Sequence, residues 1–287
     1  MNKVFFIALA SLFISLLSPF LGYIFLVSIG GSKILLKEKT RVTSFTIISI
    51  GIIILYILGL ITVLEVSDII GSVLLTSWIF IMTLIRTKDY TKALYYGCLS
   101  QIAYAIFRTI LFSDIYQQRI ETLFEGYESI LGSGITAFSS GNGQLEMILT
   151  QIKSILLDYQ MAIWGITMIF AVYIATLFLA KRSDYKWQHH LFRFPHSLIY
   201  LFILALGLAV IPYTRIFGLN SVLIIVIVFL LQGLAIVEYW CKKHLKNSRF
   251  VMLAIIILMF VNIFFALLVS LLGLIDNWLD IRKINHI

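Results

Sequence analysis

The sequence contains apolar runs that are too long for the core of a water-soluble domain. One run, TIISIGIIILYILGLITVL (46–64), has no charged side chain, and about 20 apolar residues are enough for a helix to cross a bilayer. Only 13% of the residues are charged, against roughly a quarter in soluble domains. Because the runs are continuous rather than alternating, they favour helices over a closed barrel. We therefore predict an all-α polytopic membrane protein.

The apolar runs predict a bundle of about eight transmembrane helices. The candidate spans are 4–29, 42–64, 69–85, 93–113, 159–180, 198–214, 218–240 and 250–275. Pro19 interrupts the first, which predicts either a kinked helix or two shorter pieces. We divide the chain into helices 1 to 4 (1–113), an outer segment (114–158) and helices 5 to 8 (159–287), all within one membrane domain.

Positive charge is concentrated in alternate loops. Most of the 22 Lys and Arg residues lie in 30–41, 86–92, 181–197 and 241–249, and such loops face the cytoplasm in multi-pass proteins. This bias accounts for the net charge of +8 without a nucleic-acid partner. Eight spans place both termini outside, whereas a helical hairpin at the start returns the N-terminus inside. We expect a multi-pass protein in the lipid bilayer of a bacterial cytoplasmic membrane.

The segment 114–158 is the longest stretch outside the predicted membrane. DIYQQRIETLFEGYESIL and QLEMILTQIKSILLD each place apolar residues on one helical face, and GSGITAFSSGNG between them is typical of a turn. We predict an outer amphipathic helical hairpin. It either lies on the bilayer or extends spans four and five, or it forms a lid or docking surface over a pocket.

The sequence has no recognisable catalytic or metal-binding motif. It contains no HExxH motif, and we find no Ser/His/Asp set or pair of catalytic carboxylates. Cys98 and Cys241 lie far apart, without metal or redox spacing. We therefore expect no enzyme activity, no metal and no cofactor.

Span four carries a polar stripe. Gln101, Tyr104 and Arg108 recur at helical spacing, and an arginine within a bilayer costs roughly 2.5–3.5 kcal/mol on insertion scales. Either Arg108 extends towards the outer interface, or the stripe faces the bundle interior. The stripe favours the interior.

Spans seven and eight add further polar side chains. Gln232 and Asn262 are intramembrane amides, for which hydrogen bonding between helices is the simplest role. At about 100° per residue, Asp276 and Asp280 extend a stripe of small and polar residues that starts at Asn262 and includes Ala266, Ser270, Gly273 and Asn277. Trp278 and Arg282 fall on the opposite side, towards lipid.

The C-terminal third resembles the YybS-like family of bacterial membrane proteins. The resemblance is carried by FLLQGLAIVEYWCKKH, by LLGLIDNWLDIRK and by LFRFPHSLIYLFILALGL, within 185–287. His196 stands where that family more often has an acid, so no acidic site residue is transferred there. The resemblance implies a helical fold similar to the substrate-binding components of energy-coupling factor vitamin transporters. It also implies an outer cavity for a small molecule and a separate ATPase coupling partner.

Two functional hypotheses follow. In the first, the protein binds or transports a small molecule in an outer-facing cavity whose candidate residues are Arg108, Gln101, Tyr104, Gln232, Asn262, Asp276 and Asp280, with one of the two aspartates balancing Arg108. In the second, it is a structural or assembly subunit of a membrane complex without its own ligand. Its polar stripes then serve only to pack helices.

Overall fold

The computed structural model describes residues 2–30, 37–134, 142–183, 187–244 and 248–282. These residues form helices joined by short turns, with no strand among them. The prediction of an all-helical membrane protein is confirmed. Seven predicted turn residues, 135–141, lie outside the described residues, as does Lys283, which helical spacing predicts beside Asp276.

The first predicted span is two helices rather than one. Helix α1 (Asn2–Leu17) ends at Ser18, whose extended backbone and side chain cap α2 (Pro19–Phe25). The chain then continues as a π-helix, Leu26–Gly30. Gly22 lies directly against Ser15. Residues seven apart in a continuous helix are separated by about 10 Å along its axis, so the chain reverses at Ser18 and forms a hairpin.

The second and third spans meet at a sharp turn. Helix α3 (Glu38–Ile57) stops before Gly59, which has a positive φ of 68°. A capping box between Thr62 and Glu65 then starts α4 (Val63–Asp68). Helix α4 continues through a π-helix (Ile69–Leu75) into α5 (Thr76–Thr87). The predicted second span therefore ends seven residues too late, because a glycine turn and a helix cap interrupt the apolar run.

The outer segment is built onto the neighbouring membrane helices. Helix α6 (Tyr90–Gly134) runs from the fourth span into the first predicted outer helix, with non-helical backbone angles at Phe112. Helix α7 (Asn142–Asp158) is separated from α8 (Gln160–Arg182) by Tyr159. The two outer helices thus prolong spans four and five along the chain.

The last part of the chain contains the second departure from prediction. Helices α9 (Ser197–Val210) and α10 (Arg215–His244) are followed by α11 (Ser248–Val261) and α12 (Ile263–Leu279). The axes of Phe250–Met259 and Ile263–Leu279 are bent by 115°. The predicted span 250–275 is therefore broken, because Asn262 leaves the helix and its side chain caps α12.

The number of helices that could cross a membrane is smaller than predicted. Within the described residues, five helices are long and apolar enough, or six if the bent pair is one span. Three further apolar helices are shorter, namely Val4–Leu17, Pro19–Ile29 and Ser197–Val210. The count of eight is not confirmed, because breaks at Ser18 and Asn262 divide two of the predicted spans and Ser197–Val210 has only 14 residues.

The core is formed around α8 and α10. Small residues on α8 allow close packing, and Gly165 lies against Ile224 of α10. Helix α12 packs against α10, while α6 packs between α5 and α8. This arrangement separates the polar side chains of α6 from those of α12.

Candidate functional site: the outer cavity around Arg108

The polar stripe of α6 faces the helix formed by α4 and its π-helical continuation. Gln101 is fully buried and its Nε2 donates to the Ser72 carbonyl at 2.7 Å. The Tyr104 ring packs onto Gly71, where a Cβ would collide with it. The absence of a side chain at Gly71 therefore lets α6 approach closely enough to place Arg108 beside the start of this span.

Arg108 forms a buried ion pair with Asp68. Its Nε lies 2.9 Å from Asp68 Oδ1 and its Nη2 lies 3.5 Å from Oδ2. The two side chains are only 6% and 9% exposed. Tyr104 donates to the same Oδ1 at 2.8 Å, and its hydroxyl also lies 3.0 Å from Ser67 Oγ. The pair compensates two charges that would be costly to bury separately.

Two aromatic rings flank the guanidinium of Arg108. Its Cζ lies 4.3 Å from the centroid of the Trp164 ring on α8 and 5.2 Å from that of Tyr116 on α6. Cation–π contacts of this kind contribute about 0.5–2 kcal/mol. They hold the guanidinium plane in place from two further directions.

A cavity of about 300 Å³ opens beside this group. Asp68, Arg108, Tyr116 and Trp164 line it, and the tip of the α1–α2 hairpin contributes Pro19. The more exposed pair Glu65–Arg119, at 3.3 Å, also lies in its wall. The predicted polar surface on α6 thus borders a cavity at the end of the helices that the charge bias predicts to face outward.

Asp276 and Asp280 do not balance Arg108, so that prediction is wrong. Asp276 accepts from Arg282 at 2.7 Å in a pair whose side chains are both fully buried. Asp280 pairs with Arg193 at 3.2 Å. The error arose because both aspartates were assigned to the outer boundary. The break at Asn262 instead brings α12 beside the loop that contains Arg193.

Gln232 belongs to this second cluster rather than to the cavity. Its Nε2 donates to the Gly273 carbonyl at 3.1 Å and to Asp276 Oδ2 at 3.3 Å, and its Oε1 accepts from the Phe194 backbone at 3.0 Å. All these contacts join α10, α12 and the loop before α9. Gln232 therefore has the structural role expected of an intramembrane amide.

Arg282 turns inward, contrary to the angular prediction. Helix α12 ends at Leu279 and Asp280 adopts a left-handed conformation with φ of 42°, so helical extrapolation fails beyond it. Besides Asp276, Arg282 donates to the carbonyls of His190 (2.8 Å) and Phe192 (2.9 Å). The C-terminal turn consequently lies at the end of the bundle with the basic 181–197 loop, whereas eight spans had placed it outside.

Asn262 is exposed at the bend, far in sequence from the residues that contact Arg108. Its Oδ1 accepts from the Phe264 backbone at 2.9 Å, which is an N-cap contact. Of the seven predicted site residues, the structure brings Arg108, Tyr104 and Gln101 to the region of Asp68. It places Gln232, Asp276 and Asp280 in the C-terminal cluster.

Comparison with known families extends the resemblance seen in the C-terminal third. A family described as "Predicted membrane protein (DUF2232)" matches residues 6–277. The chain belongs to this family. The match supports the YybS-like assignment. No curated protein and no solved structure gives a significant match, and the similarity to energy-coupling factor components stays a prediction.

Three residues that contact Arg108 were missed as candidates from the sequence. Asp68 was placed one residue outside a span, and Trp164 and Tyr116 were not selected among the many aromatic residues of the chain. An acid next to an apolar run is the one usable signal, because an intramembrane arginine needs a counter-charge. Nothing local identifies the two rings, since their role depends on how α6 packs against α8.

Proposed function

We propose that this membrane protein binds a small molecule in the cavity around Arg108. The observation that carries the proposal is a buried arginine, held by Asp68 and two aromatic rings, in the wall of a 300 Å³ cavity. Binding cavities typically combine apolar and aromatic walls with a few fixed polar groups. The cavity has this composition.

Arg108 has hydrogen-bonding capacity beyond its contacts with Asp68. Nε and Nη2 face that carboxylate, and Nη1 makes no hydrogen bond to another described residue. A guanidinium carries five N–H donors in a fixed plane, so a ligand oxygen could be added without breaking the ion pair. Tyr104 supports this role by holding Asp68, and Gln101 by tying α6 to the π-helix.

Transport, as opposed to binding, would require a coupling partner. We place this extension second, with an ATPase or another membrane protein as the expected partner. The partner is expected at the basic loops, on the face opposite the cavity, where a soluble protein can dock.

Native mass spectrometry of the protein released from lipid nanodiscs tests ligand binding. Wild-type protein should retain a small molecule at a defined added mass. The double variant Asp68→Asn with Arg108→Gln removes both charges together and should release it. The matched control neutralises one exposed acid and one exposed base that do not line the cavity, as Glu38→Gln with Lys88→Gln, and should retain the molecule. Identical spectra for wild type and the cavity variant would overturn the proposal.

An assembly role is the second candidate, because the outer helices expose apolar side chains. Leu123 and Tyr127 of α6 are 52% and 58% exposed, and Met147 of α7 is 63% exposed. If these residues dock a partner subunit, crosslinks from Met147→Cys should give one stoichiometric membrane partner. A spectrum without any retained ligand, together with such a crosslink, would favour assembly over binding.

A further inference from the structure

A second cavity lies next to the first and has a more apolar lining. This apolar cavity, of about 140 Å³, is lined by Phe20, Ile163 and Met168, and also by Thr167. It shares Pro19, Arg108, Tyr116 and Trp164 with the 300 Å³ cavity, which we call the headgroup cavity. Arg108 therefore borders both spaces, and a molecule bound beside it lies next to each of them.

The apolar cavity is bordered by the lipid-facing surface of the bundle. Ile163 and Thr167 are one turn apart on α8 and both are exposed. On a helix within the membrane, such exposed positions contact acyl chains rather than water. A ligand with an apolar tail could therefore occupy this cavity from the bilayer.

The charges around the headgroup cavity are balanced. Arg108 pairs with buried Asp68, and Arg119 pairs with Glu65. A ligand with a net charge would leave that charge uncompensated in a partly buried site, which is unfavourable. A headgroup with one negative and one positive group can approach Arg108 and Glu65 without changing the net charge of the site.

Two polar atoms beside the apolar cavity lack partners. Trp164 Nε1 and Gln160 Oε1 are buried and make no hydrogen bond within the part of the chain that the structure describes. Buried polar atoms usually have a partner. An ester carbonyl would be a suitable acceptor for the indole N–H of Trp164.

We propose that the two cavities together take one amphiphile with a zwitterionic phosphate–amine headgroup and an apolar chain, drawn from the outer leaflet. This inference rests on the proposed function, because it names the ligand class of the same site. The phosphate lies beside Arg108, the ammonium beside Glu65, and the chain between α2 and α8.

Three soluble probes test the ligand class. Dihexanoyl phosphatidylethanolamine carries the whole chemistry, glycerophosphoethanolamine has the same net-neutral phosphodiester headgroup without the chains, and dihexanoyl phosphatidylglycerol has the chains but a net negative charge. Each is titrated into the full-length protein in neutral detergent and followed by tryptophan fluorescence, with Trp164→Phe as the control for signal origin. Burial of only two methylene groups is worth about tenfold in affinity. We expect phosphatidylethanolamine to bind at least about tenfold more tightly than glycerophosphoethanolamine, and more tightly than phosphatidylglycerol.

Two variants separate the tail from the headgroup. Thr167→Phe fills the apolar cavity and should weaken the binding of phosphatidylethanolamine about tenfold while leaving that of glycerophosphoethanolamine unchanged. The matched control is Thr46→Phe, since Thr46 is also exposed and also donates to the carbonyl four residues earlier. Glu65→Gln keeps a capping-box residue but removes the charge. It should weaken phosphatidylethanolamine about threefold to fivefold, as for a partly exposed ion pair, and should not weaken phosphatidylglycerol.

The outcomes distinguish this inference from the proposed function. Equal affinity for glycerophosphoethanolamine and phosphatidylethanolamine, with no effect of Thr167→Phe, overturns the amphiphile while leaving a small-molecule site in place. Equal affinity for phosphatidylglycerol, with no effect of Glu65→Gln, overturns the zwitterionic headgroup. If no probe binds, the amphiphile is rejected, and the mass-spectrometric experiment decides separately whether the cavity binds any ligand.

Discussion

The buried pair between Arg108 and Asp68 makes a quantitative prediction about stability. Both side chains are at least nine-tenths buried, so removing either charge leaves the other without its partner. Breaking a buried pair in this way costs about 3–5 kcal/mol, whereas replacing both charges costs much less. We expect Asp68→Asn and Arg108→Gln each to lower the free energy of unfolding by about 3 kcal/mol or more.

The double variant should be more stable than either single variant. Asn and Gln can still hydrogen-bond across the same gap, and neither carries a charge. The expected coupling energy of the double-mutant cycle is therefore at least about 3 kcal/mol. The pair Glu65–Arg119 serves as an internal control, because its side chains are 34% and 55% exposed. Its coupling should be no more than about 1 kcal/mol.

Equilibrium unfolding in mixed micelles with increasing SDS, followed by far-UV circular dichroism, measures all of these free energies. The cycle requires four proteins for each pair under one set of conditions. A coupling energy for Asp68–Arg108 as small as that of the exposed pair would refute the conclusion that the arginine is buried and paired with this acid.

Three further predictions concern the C-terminal half of the bundle. Gly273→Ala places a Cβ against the Phe229 carbonyl and should destabilise the α10–α12 contact by at least about 1 kcal/mol. The control is Gly207→Ala, whose new Cβ meets no atom within 4 Å and which should be neutral or stabilise by up to about 1 kcal/mol. If both variants changed the SDS midpoint equally, close packing of α12 on α10 at Gly273 would be contradicted. Arg282→Ala leaves Asp276 uncompensated and should cost about 3–5 kcal/mol. Adding Asp276→Asn should recover much of it, and no recovery would argue against the pair. Burial lowers the pKa of His190 in the folded protein. Between that lowered pKa and the ordinary value of about 6.5, the unfolded chain therefore binds more protons than the folded protein. The melting temperature should therefore fall as the pH drops below about 6.5, and it should fall less in His190→Gln. An equal dependence of the melting temperature on pH in the two proteins would contradict a lowered pKa of His190.

The class of fold could be predicted because it depends on residue types along the chain. Uninterrupted apolar runs predict membrane helices, and the recurrence of Gln101, Tyr104 and Arg108 predicted a buried polar face on α6. These residues are indeed buried on that face. Such features are local and follow from helical periodicity.

The breaks in the helices were only partly predictable. Ser18–Pro19 was recognised as an interruption, and Gly59 and Asn262 carry comparable local signals for a turn and a cap. Both were read as parts of longer spans because their neighbours are apolar. The break at Asn262 then changed the predicted side of everything that follows it.

The partners of the charged residues could not be predicted from one sequence. Asp68 and Arg108 are 40 residues apart. Other acids, such as Asp114, Asp276 and Asp280, also lie next to the predicted ends of spans and could have met Arg108. Which acid meets the arginine depends on which helices pack together, and α12 packs on α10 rather than α6. Arg282 also required knowledge of the left-handed turn at Asp280, which reverses its direction.

A cryo-electron microscopy map of the protein in lipid nanodiscs tests the central claim most directly. If the cavity binds a ligand, the map should show non-protein density within hydrogen-bonding distance of Arg108, between Trp164 and Glu65. Such density should be missing from a map of the double variant Asp68→Asn with Arg108→Gln. A cavity filled only by protein side chains or water in the wild-type map would contradict the account.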